Sequence, residues 1–142
     1  MIFKILISIV VISLIIVNVN QSFSDQLEST EIKLHKMRTS FIDGGQPLVF
    51  VGKLTTDSGR PIHNASIIIK NNQSCPEDQI VGTGTTGKLG EFNIYTIPQV
   101  WNSKDNRITF HAEFNGNEKY SNAMSENRTY VILPMFAQTC GN

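Results

Sequence analysis

Three histidines, two cysteines and a late methionine are the side chains through which this sequence could do chemistry. His35, His63, His111, Cys140 and Met135 are the donor types of a blue-copper site, which takes two His, one Cys and a weak axial Met. Such sites draw Cys, His and Met from one late loop, and no histidine follows Cys140. All three histidines are also predicted on surface faces or loops, where a solvated imidazole is expected. His111-x-Glu113 has the spacing of a zinc-deaminase pair, but the Pro-Cys-x-x-Cys partner is missing and Cys75-Pro76 runs in reverse order. Asp43, Asp57 and Glu118 sit in turns without the ordered run of oxygen ligands that calcium requires. No nucleophile elbow, His-Glu-x-x-His pair, P-loop or EF-hand loop occurs. The sequence therefore predicts no catalytic residue, no metal ligand and no cofactor.

The cysteines acquire a meaning from the other end of the chain. Lys4 precedes Ile5–Val17, an uncharged run of Ile, Leu, Val and Ser. One cation before a short apolar run is the plan of a secretory signal peptide. The run falls short of the ~20 residues that span a bilayer comfortably. Ser22-Phe23-Ser24 supplies small residues for cleavage before Asp25. Residues 1–24 are thus expected to be a signal peptide, predicted as a hydrophobic helix, or else an uncleaved anchor through residues 5–19. The rest is expected outside the cytoplasm, secreted or on the cell surface. In that oxidising setting a disulfide between Cys75 and Cys140 is the leading expectation, the alternative being free or intermolecular thiols. Neither cysteine belongs to a Cys-x-x-Cys pair.

Twelve basic and twelve acidic side chains balance in the full chain, and loss of Lys4 leaves eleven against twelve. Without a net field, a nucleic-acid partner is not expected, and membrane contact is expected only through an uncleaved N-terminal segment. Asn64-Ala65-Ser66, Asn72-Gln73-Ser74 and Asn127-Arg128-Thr129 are N-glycosylation sequons in the exported part.

The elements that must position these residues are short and β-prone. Alternation predicts strands over Glu31–Met37, Leu48–Thr55, Ala65–Lys70, Ile80–Thr85, Glu91–Thr96, Arg107–Asn115 and Glu126–Leu133. Phe50, Leu54, Ile67, Phe92, Ile94, Phe110 and Phe114 are expected inward. Thr109, His111 and Glu113 are expected outward. In the last strand, Thr129, Val131 and Leu133 compete with Tyr130 and Ile132 for the inner face. Asn71–Asp78 is read as a polar loop carrying Cys75, and Ile97–Asn106 as a connection around Pro98 and Trp101. Gly52 suggests a bulge or a close backbone approach, and Tyr120 an anchor through its hydroxyl. About seven one-sided strands in a domain of this length predict an all-β, antiparallel two-sheet sandwich of immunoglobulin-like type. The organisation is residues 25–46 as lead-in and first strand, 47–133 as sandwich and 134–142 as C-terminal tail.

Gly52-Lys53-Leu54, the Asp57-Ser58-Gly59 turn, Pro61-Ile62 and Ala65-Ser66-Ile67 form an opening found in exported sandwich domains. Thr86, Gly90 and Phe92 continue it, and Phe114-Asn115-Gly116 with Tyr120 and Ser125 close it. Together they resemble the Ig-like and carboxypeptidase-regulatory-like (transthyretin-like) domains of prokaryotic surface proteins, archaeal ones included. The resemblance implies a non-catalytic scaffold of stalks, adhesins and accessory modules, with no catalytic residues to carry over. The expected function is a module for binding, adhesion or spacing toward an extracellular protein or glycan, with Trp101 as candidate contact. The alternative is a small exported cupredoxin-like metal protein.

Overall fold

A chain that alternates apolar and polar residues has its strands laid down before its topology. The computed structural model describes residues 26–39, 41–43, 45–75, 77–97 and 101–138; the leader and Cys140 lie outside them. In chain order the strands are β1 (Thr30–Leu34), β2 (Phe41–Ile42), β3 (Val49–Thr56), β4 (Ser66–Cys75), β5 (Glu77–Thr85), β6 (Glu91–Tyr95), β7 (Trp101–Asn102), β8 (Arg107–Phe114), β9 (Ala123–Met124), β10 (Arg128–Ile132) and β11 (Ala137–Gln138). Seven of them, β1, β3, β4, β5, β6, β8 and β10, are five residues or longer; the other four have two residues each. The protein is all-β, with two sheets forming a sandwich.

One sheet has the order β1-β3-β6. The other has the order β2-β10-β8-β4-β5, with β9 paired to the end of β8. The long ladders are antiparallel. Two short pairings are parallel, β2 with β10 and β11 with β7, which corrects the expectation of a purely antiparallel fold. They arise where the chain crosses between layers and where its end folds back, so strand direction there is set by the crossover.

Alternation places Leu48, Phe50 and Leu54 of the β3 segment, Phe92 and Ile94 of β6, Ile67 and Ile69 of β4, and Ile108, Phe110 and Phe114 of β8 in one core. All seven expected inward residues are buried there. Phe110 is its hub. Its ring meets Phe50 of the opposite sheet edge-on at 4.8 Å, Trp101 edge-on at 5.7 Å and Tyr130 at 6.1 Å between centroids. On β10 the contest resolves in favour of Tyr130 and Ile132, which point inward.

Gly52 pairs with Leu34 on one side and Phe92 on the other without a shift in register. A Cβ there would stand 2.2 Å from Phe92 Cζ and 2.3 Å from the Lys33 carbonyl oxygen. The glycine therefore marks a close approach and not a bulge. Asn71–Cys75 and Glu77–Asp78, expected within a loop, instead belong to β4 and β5, whose ladder absorbs irregularities between Ile69 and Lys70 and between Asn71 and Cys75. Polar residues looked like a loop because β-bulges break the simple period of two. The hydroxyl anchor is Tyr130, not Tyr120: the Met37 N–H donates to Tyr130 Oη at 2.9 Å. The Tyr120 corner is held by Asn117, whose Oδ1 accepts from the N–H groups of Lys119 and Tyr120, both at 2.9 Å.

Candidate functional site

Ionisable side chains converge on the outer face of the larger sheet, above its central strand β8. The register sets Lys70 of β4 opposite His111, and Arg128 of β10 opposite Phe110 on the other flank. Asn72 on β4 and Asn127, just before β10, therefore flank β8, about two strand spacings, roughly 10 Å, apart between backbones. Their amides nevertheless meet, with Asn72 Nδ2 donating to Asn127 Oδ1 at 2.8 Å. The two side chains thus join the flanks of β8 on this face.

Further along β8, Glu113 accepts two hydrogen bonds. Lys70 Nζ donates to its Oε2 at 2.8 Å, and His111 Nε2 lies 2.7 Å from its Oε1. Thr109 and Thr129 share a hydroxyl hydrogen bond at 2.9 Å. Flanked by Lys70, Glu113 and Thr129, His111 is only 2% exposed and Thr109 is buried. This corrects the expectation that both are surface residues. Alternation tells which face a side chain occupies, but not whether long polar neighbours roof it over.

The network has a defined charge. Burial pushes the Glu113 carboxyl up, but hydrogen bonds from Lys70 and His111, with their positive fields, outweigh it and hold it below the ordinary glutamate range. With the carboxylate ionised, His111 presents its Nε2 proton to it, and His111 Nδ1 is buried without a hydrogen-bond partner among the described residues. The arrangement clamps β4 to β8.

A depressed carboxylate pKa stabilises the fold above the unfolded value, near 4.3 for a glutamate, and loses that contribution as pH falls through the folded value. The wild-type chain should therefore exceed Glu113→Gln in unfolding free energy at neutral pH. That margin should shrink as the pH drops below about 4. Urea unfolding of both proteins across this range checks it; a margin independent of pH would show that the carboxylate charge is irrelevant.

The remaining predicted residues are scattered. Trp101 is fully buried against Phe110, so it is core and not an exposed contact; this corrects its nomination as a binding residue. Its segment pairs with β11 at the sandwich end, which sinks the indole. Asn64 is exposed, with a left-handed backbone at φ 58°, whereas Asn72 and Asn127 are joined to each other. His35, His63 and Met135 are exposed, as expected of the histidines. Asp43 serves its turn by accepting the Gly45 N–H at 2.9 Å. Among the described residues no group of three or more His, Cys, Asp or Glu side chains could hold a metal ion. Cys75 ends β4, while Cys140 lies outside the described residues.

Sequence reasoning missed Lys70 and the Asn72–Asn127 contact. The usable signal was the placement of Lys70, His111 and Glu113 on outward positions, but pairing register is needed to bring them together. A groove of about 350 Å³ borders β1, lined by residues 31–36 with Glu126 and Arg128. The chain matches no known family model and none of the curated proteins.

Proposed function

We propose that the chain is an exported Ig-like β-sandwich module that binds or spaces other molecules at or beyond the cell surface and catalyses nothing. The observation that carries this reading is the use made of its reactive side chains. His111, Glu113 and Lys70 bond one another on the sheet face, with His111 buried, instead of converging on an open cleft. The strand order supports the Ig-like part. The N-terminal region divides between layers, with β1 beside β3 and β2 beside β10, and β5 stays with β4 instead of joining β6.

Export rests on Lys4, the Ile5–Val17 run and Ser22-Phe23-Ser24. A disulfide between Cys75 and Cys140 belongs to the same reading. Partners are extracellular proteins or glycans met through the loops at the sandwich ends. Membrane attachment would come only from an uncleaved leader, and Asn64, Asn72 and Asn127 are candidate glycan acceptors.

N-terminal sequencing of the chain from its producing cells tests the export step. A start at or near Asp25 is expected, and residues before Asn18 found intact would reject cleavage. Stoichiometric copper or zinc in untagged protein would overturn the scaffold reading in favour of a metal protein.

A further inference from the structure

Two bonds stitch the sheets together where β1 ends beside β10. Arg128 Nε donates to the Leu34 carbonyl at 3.1 Å, and the Met37 N–H donates to Tyr130 Oη at 2.9 Å. Two grooves open beside this seam. The larger, of about 350 Å³, borders β1; the smaller, of about 200 Å³, is lined by Lys36, Asn127, Arg128, Thr129 and Tyr130. Lys36 and Arg128 line both.

The side chains at the smaller groove are donors. The Lys36 ammonium is exposed and has no partner among the described residues. Arg128 uses Nε on the Leu34 carbonyl and Nη1 on Glu126 at 3.2 Å, which leaves Nη2. That ion pair is weak, because the Glu126 side chain is 83% exposed, so an incoming anion can displace it. Asn127 Oδ1 accepts from Asn72, so its Nδ2 is left to donate. The Tyr130 Oη accepts from Met37, and the hydroxyl proton has no acceptor among the described residues. The Thr129 hydroxyl is engaged by Thr109. No carboxylate among the described residues lines this groove. In the larger one Lys33, Lys36 and Arg128 stand against Glu31 and Glu126, with His35 beside them. The chain as a whole is neutral, yet Lys33, His35, Lys36 and Arg38 fall within six residues and all are exposed. A local excess of cations and charge-assisted donors recognises an anion rich in oxygen.

We propose that this cleft binds an acidic glycan, one whose sugars carry carboxylate or sulfate groups, with an anionic group held between Lys36 and Arg128. Two adjoining grooves lined mostly by polar side chains suit sugars on either side of that charge. An apolar protein surface would find only Ile32 and Leu34 there, and both are buried. Asn127 must then carry no glycan of its own, which would fill the smaller groove. The inference rests on the module reading and deepens it, naming the partner's chemistry and adding a flank site to the end loops.

Isothermal titration calorimetry of the exported chain tests the site with oligogalacturonate and dextran sulfate, a carboxylate and a sulfate glycan, against uncharged dextran and polyglutamate. At least one acidic glycan is expected to bind, more weakly as salt rises, and dextran is not. Lys36→Glu should weaken that binding by about tenfold or more, since a like charge replaces a charge-assisted donor. Lys88, in the turn between β5 and β6, lines neither groove, so Lys88→Glu makes the same charge change and should leave the affinity as it was. Both lysines are exposed, and circular dichroism verifies that the variants fold. Binding of neither acidic glycan, equal binding of dextran or polyglutamate, an unchanged Lys36→Glu, an equal loss in Lys88→Glu, or a glycan found on Asn127 by mass spectrometry would each overturn the proposal. A chain that binds none of the probes would leave the mature N-terminus, and with it the export reading, untouched.

Discussion

Replacing Phe110 with alanine is expected to lower the unfolding free energy by about 3–5 kcal/mol, the range for truncating a buried aromatic in a core that collapses only partially. Phe110 is fully buried at the centre of β8 and touches an aromatic ring from each direction: Phe50 across the sandwich, Trp101 at its end and Tyr130 on the neighbouring strand. Its loss would remove its own apolar contacts and three ring–ring contacts together, each worth about 0.5–1.5 kcal/mol beyond area. The surrounding strands cannot close the gap, because Lys70 and Glu113 fasten β4 to β8 on the opposite face. Urea unfolding followed by the fluorescence of Trp101 would read the shift. A change near zero would mean that β8 presents a different face to the core.

Reduction of the proposed Cys75–Cys140 disulfide is expected to cost about 4 kcal/mol, from the entropy of closing a loop of about 65 residues in the unfolded chain. A relay of contacts links the end of the described chain to the β4–β5 hairpin. β11 sets Gln138 beside Asn102. The Asn102 carbonyl accepts from Asn71 Nδ2 at 2.7 Å, and its N–H donates to Gln79 Oε1 at 3.3 Å. Asn71 and Gln79 belong to the hairpin near whose tip Cys75 lies, so the chain reaches Gln138 close to that hairpin with Cys140 just beyond. Unfolding with and without reductant measures the difference. Quantitative thiol labelling of both cysteines in unreduced native protein would contradict the bond.

The core was the most legible part of the sequence. Phe50, Leu54, Ile67, Phe92, Ile94, Phe110 and Phe114 each lie on a one-sided alternation, and burial on one face of an antiparallel strand follows from that period. What alternation does not carry is pairing. It could not tell that β4 and β5 continue through Asn71 and beyond, because bulges shift the period there. Nor could it foresee that Asn72 and Asn127, noticed only as sequons, would meet across β8, or that His111 on that face would be buried. For Trp101 the sequence left two readings, a contact at the sandwich end or a partly buried plug there, and its burial, in a segment that β11 pairs with, favours the plug. The parallel β2–β10 and β11–β7 pairs likewise depend on long-range crossovers that no local pattern encodes.

Location is the premise on which the functional reading depends, and labelling of intact producing cells tests it most directly. A membrane-impermeant amine-reactive crosslinker should modify the native chain without lysis and join it to neighbouring surface molecules or recover it from the medium. A chain that stays unlabelled until the cells are broken, and is absent from the medium, would contradict the account of an exported binding or spacing module.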